Sequence, residues 1–194
     1  VTTELFQKLR DVSDALGDHG LEWALVGGLA VSAYVEPRFT RDIDVAVAVK
    51  DDAHAETVIH AWLGRGFVID TIVEQDDAER LATARTHEPG ESEGIVVDLL
   101  FASSGIEPEI AAAAEPLELA PGLVVPVAQP GHLFVLKLLA RDPETRPQDD
   151  IDLRNLAEIL SKEDIELARS AAALIEARQF SRGRDLSSAI DEWT

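Results

Sequence analysis

The stretch Asp42-Ile-Asp-Val-Ala-Val-Ala-Val49 constrains this chain more than any other. Its period of two predicts an extended strand in which the valines alternate with small or acidic residues. Asp42 and Asp44 open that strand at i and i+2, so both carboxylates point to one face. Two such charges repel unless a cation lies between them. The hard dication Mg²⁺ is a natural filler, because it takes a few carboxylates and then substrate phosphates. A solvated strand start with two exposed aspartates is the alternative reading. A second apolar strand, Ile95-Val-Val-Asp-Leu-Leu-Phe101, carries Asp98 in its interior, where a lone charge is costly without a partner. Laid beside the first strand, it brings Asp98 to face Asp42 and Asp44, and three carboxylates make a site for one or two Mg²⁺ ions. A salt bridge to an arginine is the other way to satisfy Asp98.

Upstream, the apolar run Trp23–Val26 stops at Gly27-Gly28, and Leu29 to Tyr34 reads as a helix that Pro37 breaks. Glycines between a strand and a helix let the backbone approach a phosphate chain at the helix N-terminus, or simply allow tight packing. A helix precedes them, with Leu5, Phe6, Leu9, Val12 and Leu16 on one face. Beyond the Asp42 strand, the pattern predicts a helix over 53–64, a strand over Phe67 to Val73, a polar helix-like stretch over Asp76 to Ala84 and an acidic loop over Glu88 to Gly94. Leu123 to Val127 is a short strand whose Pro126 predicts an edge or a strand end. From Pro130 onward helices take over, one around Leu133 to Ala140, one over Asp150 to Leu160 and one over Ser161 to Arg178. The last is opened by a Ser161-to-Asp164 capping box. The expected fold class is α/β (α+β), a mixed sheet of four or five strands with flanking helices, followed by a helical C-terminal part. The expected division is a catalytic core over 1–128 and a helical region over 129–194 that completes the site.

Composition narrows the function. The chain has 194 residues, 46% of them hydrophobic, which suits one ordinary domain with a real core. The formal charge of −20 opposes binding a nucleic acid through the whole surface, so such a substrate needs a local basic patch. Lys137, Arg141, Arg146, Arg154 and the basic segment 178–184 are its candidates. With no cysteine, disulfides, thiolate metal sites and cysteine nucleophiles are excluded. No apolar run has the length of a membrane span, and the first ten residues lack a signal-peptide apolar region. A soluble, monomeric, cytoplasmic protein is expected.

Gly27-Gly28, then Arg38-x-Thr40-Arg41-Asp42-x-Asp44, then Asp98 on a later strand, resembles the nucleotidyltransferase superfamily of DNA polymerase β-like fold. Within it, Val-Gly-Gly-Leu-Ala-Val and Glu-Pro-Arg-Phe-Thr-Arg-Asp-Ile-Asp-Val resemble the AbiEii-type toxins, which include the mycobacterial MenT toxins. A second block, Leu133 to Arg141 with Lys137 and then Arg146 to Leu156 with Asp152, resembles the later motifs of that group. The chain departs from the pattern at Gly28, where the wider superfamily often has serine, and at Gln148, where relatives tend to carry lysine.

The resemblance implies a Mg²⁺-dependent transfer of NMP from an NTP to the 3′ end of tRNA, blocking aminoacylation as the toxin of a toxin–antitoxin pair with a cognate antitoxin. It implies Asp42, Asp44 and Asp98 as metal ligands, with Asp98 a candidate base. It implies Lys137 at the triphosphate, Asp152 orienting Lys137 or the nucleotide, and Gly27, Gly28, Arg38 and Arg41 holding phosphates. Read on its own, Lys137 is as well suited to snorkel to water, and Asp149 and Asp150 are as well suited to the helix dipole. Two other functions stay open, a small-molecule transferase of the aminoglycoside or lincosamide kind and a non-catalytic binding protein of the same fold. Thr40, two residues before Asp42, is a candidate regulatory phosphorylation site, because a phosphate there adds about −1.5 to −2 charge beside the carboxylates.

Overall fold

In the computed structural model the chain is described over residues 2–75, 78–89, 94–142 and 144–194. The elements run α1 (Thr2–Asp18), β1 (Trp23–Val26), α2 (Gly27–Val31), β2 (Asp42–Val47), α3 (Asp52–Gly64), β3 (Val68–Gln75), β4 (Arg80–His87) and β5 (Val96–Leu100). They continue as α4 (Glu107–Ala112), β6 (Glu115–Ala120), β7 (Leu123–Val127), α5 (Pro130–Ala140), α6 (Pro147–Ile159), α7 (Lys162–Ala177) and α8 (Leu186–Trp193). Among the described residues seven strands form one mixed sheet in the order β3-β4-β5-β2-β1-β7-β6. β2 lies at its middle, antiparallel to β1 and parallel to β5. No described helix is long and apolar enough to cross a membrane.

The alternation in β2 does what its period requires. Ile43, Val45 and Val47 are fully buried, and Asp42 and Asp44 share the opposite face at the strand start. Leu9, Leu16, Leu25, Leu99 and Phe134 join them in one core, each such side chain contributing on the order of 1.5–3 kcal/mol. α5 is apolar nearly all round and is buried along most of its length, as such a helix must be. Gly131 lets it approach α7 closely: a Cβ there would sit 2.3 Å from the Asp164 carbonyl oxygen. The capping box that opens α7 is formed, with the Ser161 Oγ accepting from the Asp164 N–H and the Asp164 carboxylate accepting from the Ser161 N–H.

Two expectations are corrected. The sheet has seven strands rather than four or five. The stretch expected to be helix-like is largely strand β4, because Ala82, Ala84 and Thr86 alternate inward; small alanines carry the period of two weakly and have a helical propensity of their own. Asp76 and Asp77, which open that stretch, lie outside the described residues, as do 90–93 of the acidic loop. Pro126 is the penultimate residue of β7, so it does stand at a strand end, but not at an edge: β7 pairs with β6 and, through Val127, with β1. The proline is accommodated because it stands opposite Pro116, a pair in which neither residue has an N–H to lose.

Candidate active site

The carboxylates meet through strand register. Asp44 is directly opposite Asp98 across the parallel β2–β5 pair, and Asp42 lies two residues away on the same face. Asp98 is only 6% exposed. Its two oxygens accept from Arg85 on the neighbouring β4, at 2.9 Å from Nε and 2.7 Å from Nη2. Both readings of Asp98 are thus realised together: it faces the paired aspartates, and it holds an arginine. Burial, then the charges of Asp98 and Asp42, push the Asp44 carboxyl up to about 7. A dication between Asp42 and Asp44 would relieve that repulsion, and their hard oxygens fit Mg²⁺. Among the described residues no group of three or more His, Cys, Asp or Glu is gathered as a metal site.

Gly27 and Gly28 have distinct reasons to be glycine. Gly27 has φ of +68°, and a Cβ there would lie 1.9 Å from the Asp44 Oδ2, so the main chain sits directly against that carboxylate. At Gly28 a Cβ would lie 2.4 Å from the Arg38 Nη2. The space that a serine would need is filled by a guanidinium. Arg38 continues from there to Asp152 on α6, donating through Nε at 2.8 Å and Nη2 at 2.9 Å. Gly28→Ala is expected to push the Arg38 fork off Asp152 and to lower stability by about 1–3 kcal/mol in urea unfolding, the worth of charged hydrogen bonds lost beside a buried carboxylate.

Lys137 does not snorkel. It is 5% exposed on α5, and its Nζ stands 2.8 Å from both Asp149 and Asp152. Asp149 is fully buried and also meets Arg146 Nε at 2.9 Å. The result is a chain of alternating charge, Arg38–Asp152–Lys137–Asp149–Arg146, joining the loop before β2 to α5 and α6. Arg38 and Lys137 hold the Asp152 carboxyl below its usual range against the opposing effect of burial. Asp149 is thereby a buried ion-pair partner of Lys137 and not only a helix-start carboxylate. Its spacing of three from Asp152 places both on one helix face, a signal present in the sequence. Arg85 went unassigned because its strand was not recognised.

A cleft of about 650 Å³ opens over these groups. Gly27, Gly28, Arg38, Thr40, Asp42, Asp44, Asp98 and Lys137 line it, together with Arg85, Arg146 and Arg182. Five cations and four carboxylates (the fourth is Glu107) line it, a far more even balance than the −20 of the whole chain, and Arg38, Lys137 and Arg146 are paired with Asp152 and Asp149 beneath the lining. Arg41 lies outside the cleft lining, its guanidinium 5.5 Å from the Phe39 ring centre. Of the expected basic patch, Lys137, Arg146 and Arg182 reach the cleft. Arg141 pairs with Asp150, and Arg178 pairs with Glu109.

The family model described as nucleotidyl transferase AbiEii toxin, type IV toxin–antitoxin system, matches residues 10–193. Similar solved structures include an antigenic nucleotidyltransferase-like protein from Paracoccidioides brasiliensis, 18% identical, with a TM-score of 0.55 over 97% of this chain and 93% of that one. The lincomycin-bound lincosamide antibiotic adenylyltransferase LnuA is 17% identical, with a TM-score of 0.52 over 79% of this chain and 97% of that one. ANT(2")-Ia in complex with adenylyl-2"-tobramycin is 15% identical, with a TM-score of 0.52 over 96% of this chain and 97% of that one. At these identities the likeness is one of fold. No curated protein matches the chain.

Proposed function

The chain belongs to the AbiEii nucleotidyltransferase toxin family, and on that premise we propose that it transfers NMP from an NTP to the 3′ end of tRNA in the cytoplasm, with Mg²⁺ as the metal and a cognate antitoxin as its regulator. The observation that carries the acceptor class is the cleft lining. In a chain of −20, the cleft that holds the carboxylates also gathers Arg38, Arg85, Lys137, Arg146 and Arg182. An anionic acceptor suits that lining better than a polycationic drug does.

In this reading Asp42 and Asp44 would hold the ion, which would supply positive charge to the triphosphate. The Gly27–Gly28 backbone and Arg38 receive phosphate oxygens. Lys137 neutralises the charge that grows on pyrophosphate as the acceptor oxygen bonds to the α-phosphorus and the bridging P–O bond breaks. Asp152 and Asp149 keep the Lys137 ammonium in place. Asp98, opposite Asp44, is the candidate to accept the acceptor's proton, on an oxygen lone pair outside the Arg85 fork. Arg41, which lies outside the cleft, is left to guide phosphates at its rim. In the same reading residues 1–128 are the catalytic core, and the helical residues 129–194 complete the site. Thr40 lines the cleft, and its Oγ1 accepts from the Asp42 N–H at 3.3 Å. A phosphate there would sit beside the carboxylates and exclude an NTP, so the regulatory reading expects Thr40→Glu to be inactive. A variant as active as the parent overturns it.

The test is a labelling assay with each α-³²P NTP, Mg²⁺ and total tRNA, run beside Asp42→Ala. Label in tRNA that is lost in the variant is expected. Label in an aminoglycoside or lincosamide and none in tRNA would overturn the acceptor while leaving the transferase intact. The small-molecule reading is kept for that comparison because the overall charge of −20 suits a cationic acceptor.

A further inference from the structure

We propose that Arg85 is the resident cation of Asp98, standing where a second divalent ion would bind, so that this chain takes one divalent ion, at Asp42 and Asp44. The inference rests on the metal reading above and goes beyond it by assigning a role to a residue on the far side of the carboxylates.

The argument is one of register and saturation. Asp98 is paired across the sheet with Asp44 on one side and with Arg85 on the other. Arg85, Asp98 and Asp44 therefore form one row across three adjacent strands, a cation followed by two carboxylates, with Asp98 between the other two. The guanidinium is a planar fork that matches a carboxylate in two parallel bonds, and it does not lose its proton. Both bonds are present, at 2.7 and 2.9 Å, so each Asp98 oxygen already has a cationic partner. With Asp98 6% exposed, an ion that was to share its oxygens would have to displace the arginine. Such an ion would also face the guanidinium's charge at close range, a repulsion that low-dielectric surroundings strengthen. Among the described residues Asp42 and Asp44 have no competing arginine fork, and both lie at the cleft face. The Arg85 side chain is half exposed, so its removal opens the Asp98 oxygens to the cleft without emptying the core.

Mn²⁺ binding, counted by calorimetry and by electron paramagnetic resonance with a non-hydrolysable NTP analogue present, reads this directly. One ion per chain is expected for the parent and for Arg85→Lys, and two for Arg85→Gln. Mn²⁺ should raise the melting temperature of Arg85→Gln more than that of the parent, because it replaces the lost cation at a buried carboxylate. Two ions in the parent would overturn the inference without recourse to any variant, and one ion in folded Arg85→Gln would do the same. No bound Mn²⁺ in the parent would overturn the metal reading itself, and this inference with it. Two ions in the parent leave that reading standing, so the two failures are distinguishable.

Discussion

Asp44→Asn is expected to abolish nucleotide transfer and, in the same protein, to raise thermal stability at about pH 8 in the absence of divalent metal. Both effects come from one cause. Burial and the neighbouring charges of Asp98 and Asp42 push the Asp44 carboxyl up to about 7, whereas in the unfolded chain it ionises near its ordinary value. Between those two values folding takes up a proton. The stability contributed by this carboxyl is therefore complete below about pH 4, declines as pH rises and is gone above about pH 7, a loss on the order of a few kcal/mol. Asparagine keeps the shape without the charge. The advantage of Asp44→Asn over the parent should thus grow from near zero below pH 4 to its full size above pH 7. Melts in EDTA across that range measure it. Equal melting temperatures at pH 8 would overturn the argument. The activity loss should be at least about 10³-fold, since charge stabilisation aimed at the transferring phosphoryl group is the main catalytic device open to such a site.

Lys137→Met is expected to fail in both respects. The ammonium is shared by Asp149 and Asp152, both almost fully buried. Removing it leaves two buried carboxylates with only Arg146 and Arg38 to balance them. Breaking a buried pair in this way costs about 3–5 kcal/mol, because the surviving charge is left without its partner. Urea unfolding measures the loss. Lys137→Met combined with Asp149→Asn should recover a good part of the stability and none of the activity, where the single variant is expected to lose about 10²–10³-fold. Recovery of activity in the double variant would mean that Lys137 serves the fold alone.

What the sequence disclosed follows from how strongly each feature is expressed locally. β2 and β5 were legible because branched apolar residues alternate or cluster around single aspartates, and their register then brings Asp44 to Asp98. β4 was not, since alanines carry its inward face. β6 was hidden by Pro116 and its glutamates, and α8 by the basic turn before it, with only Leu186 and Ile190 buried. The main chain at Gly27 was readable as a close approach, but not what it approaches. The glycine at position 28 reads in sequence as a hydroxyl lost; in the fold it is the seat of the Arg38 guanidinium. Partners that lie far apart along the chain leave no local trace, which is why the roles of Asp149 and Arg85 emerged only with the coordinates.

The Arg38–Asp152 pair joins residues 114 positions apart, and that separation has a meaning in time. A ribosome adding about 5–20 residues per second delivers the β2 carboxylates several seconds before Asp149 and Asp152 exist. For most of that interval the nascent chain carries the β2 carboxylates without Lys137, and for all of it without the carboxylates that position that lysine. A product terminated before Asp149 therefore lacks the ion pairs that fix the Lys137 ammonium. Drawing these groups from stretches so far apart makes completion of the site a late event in synthesis.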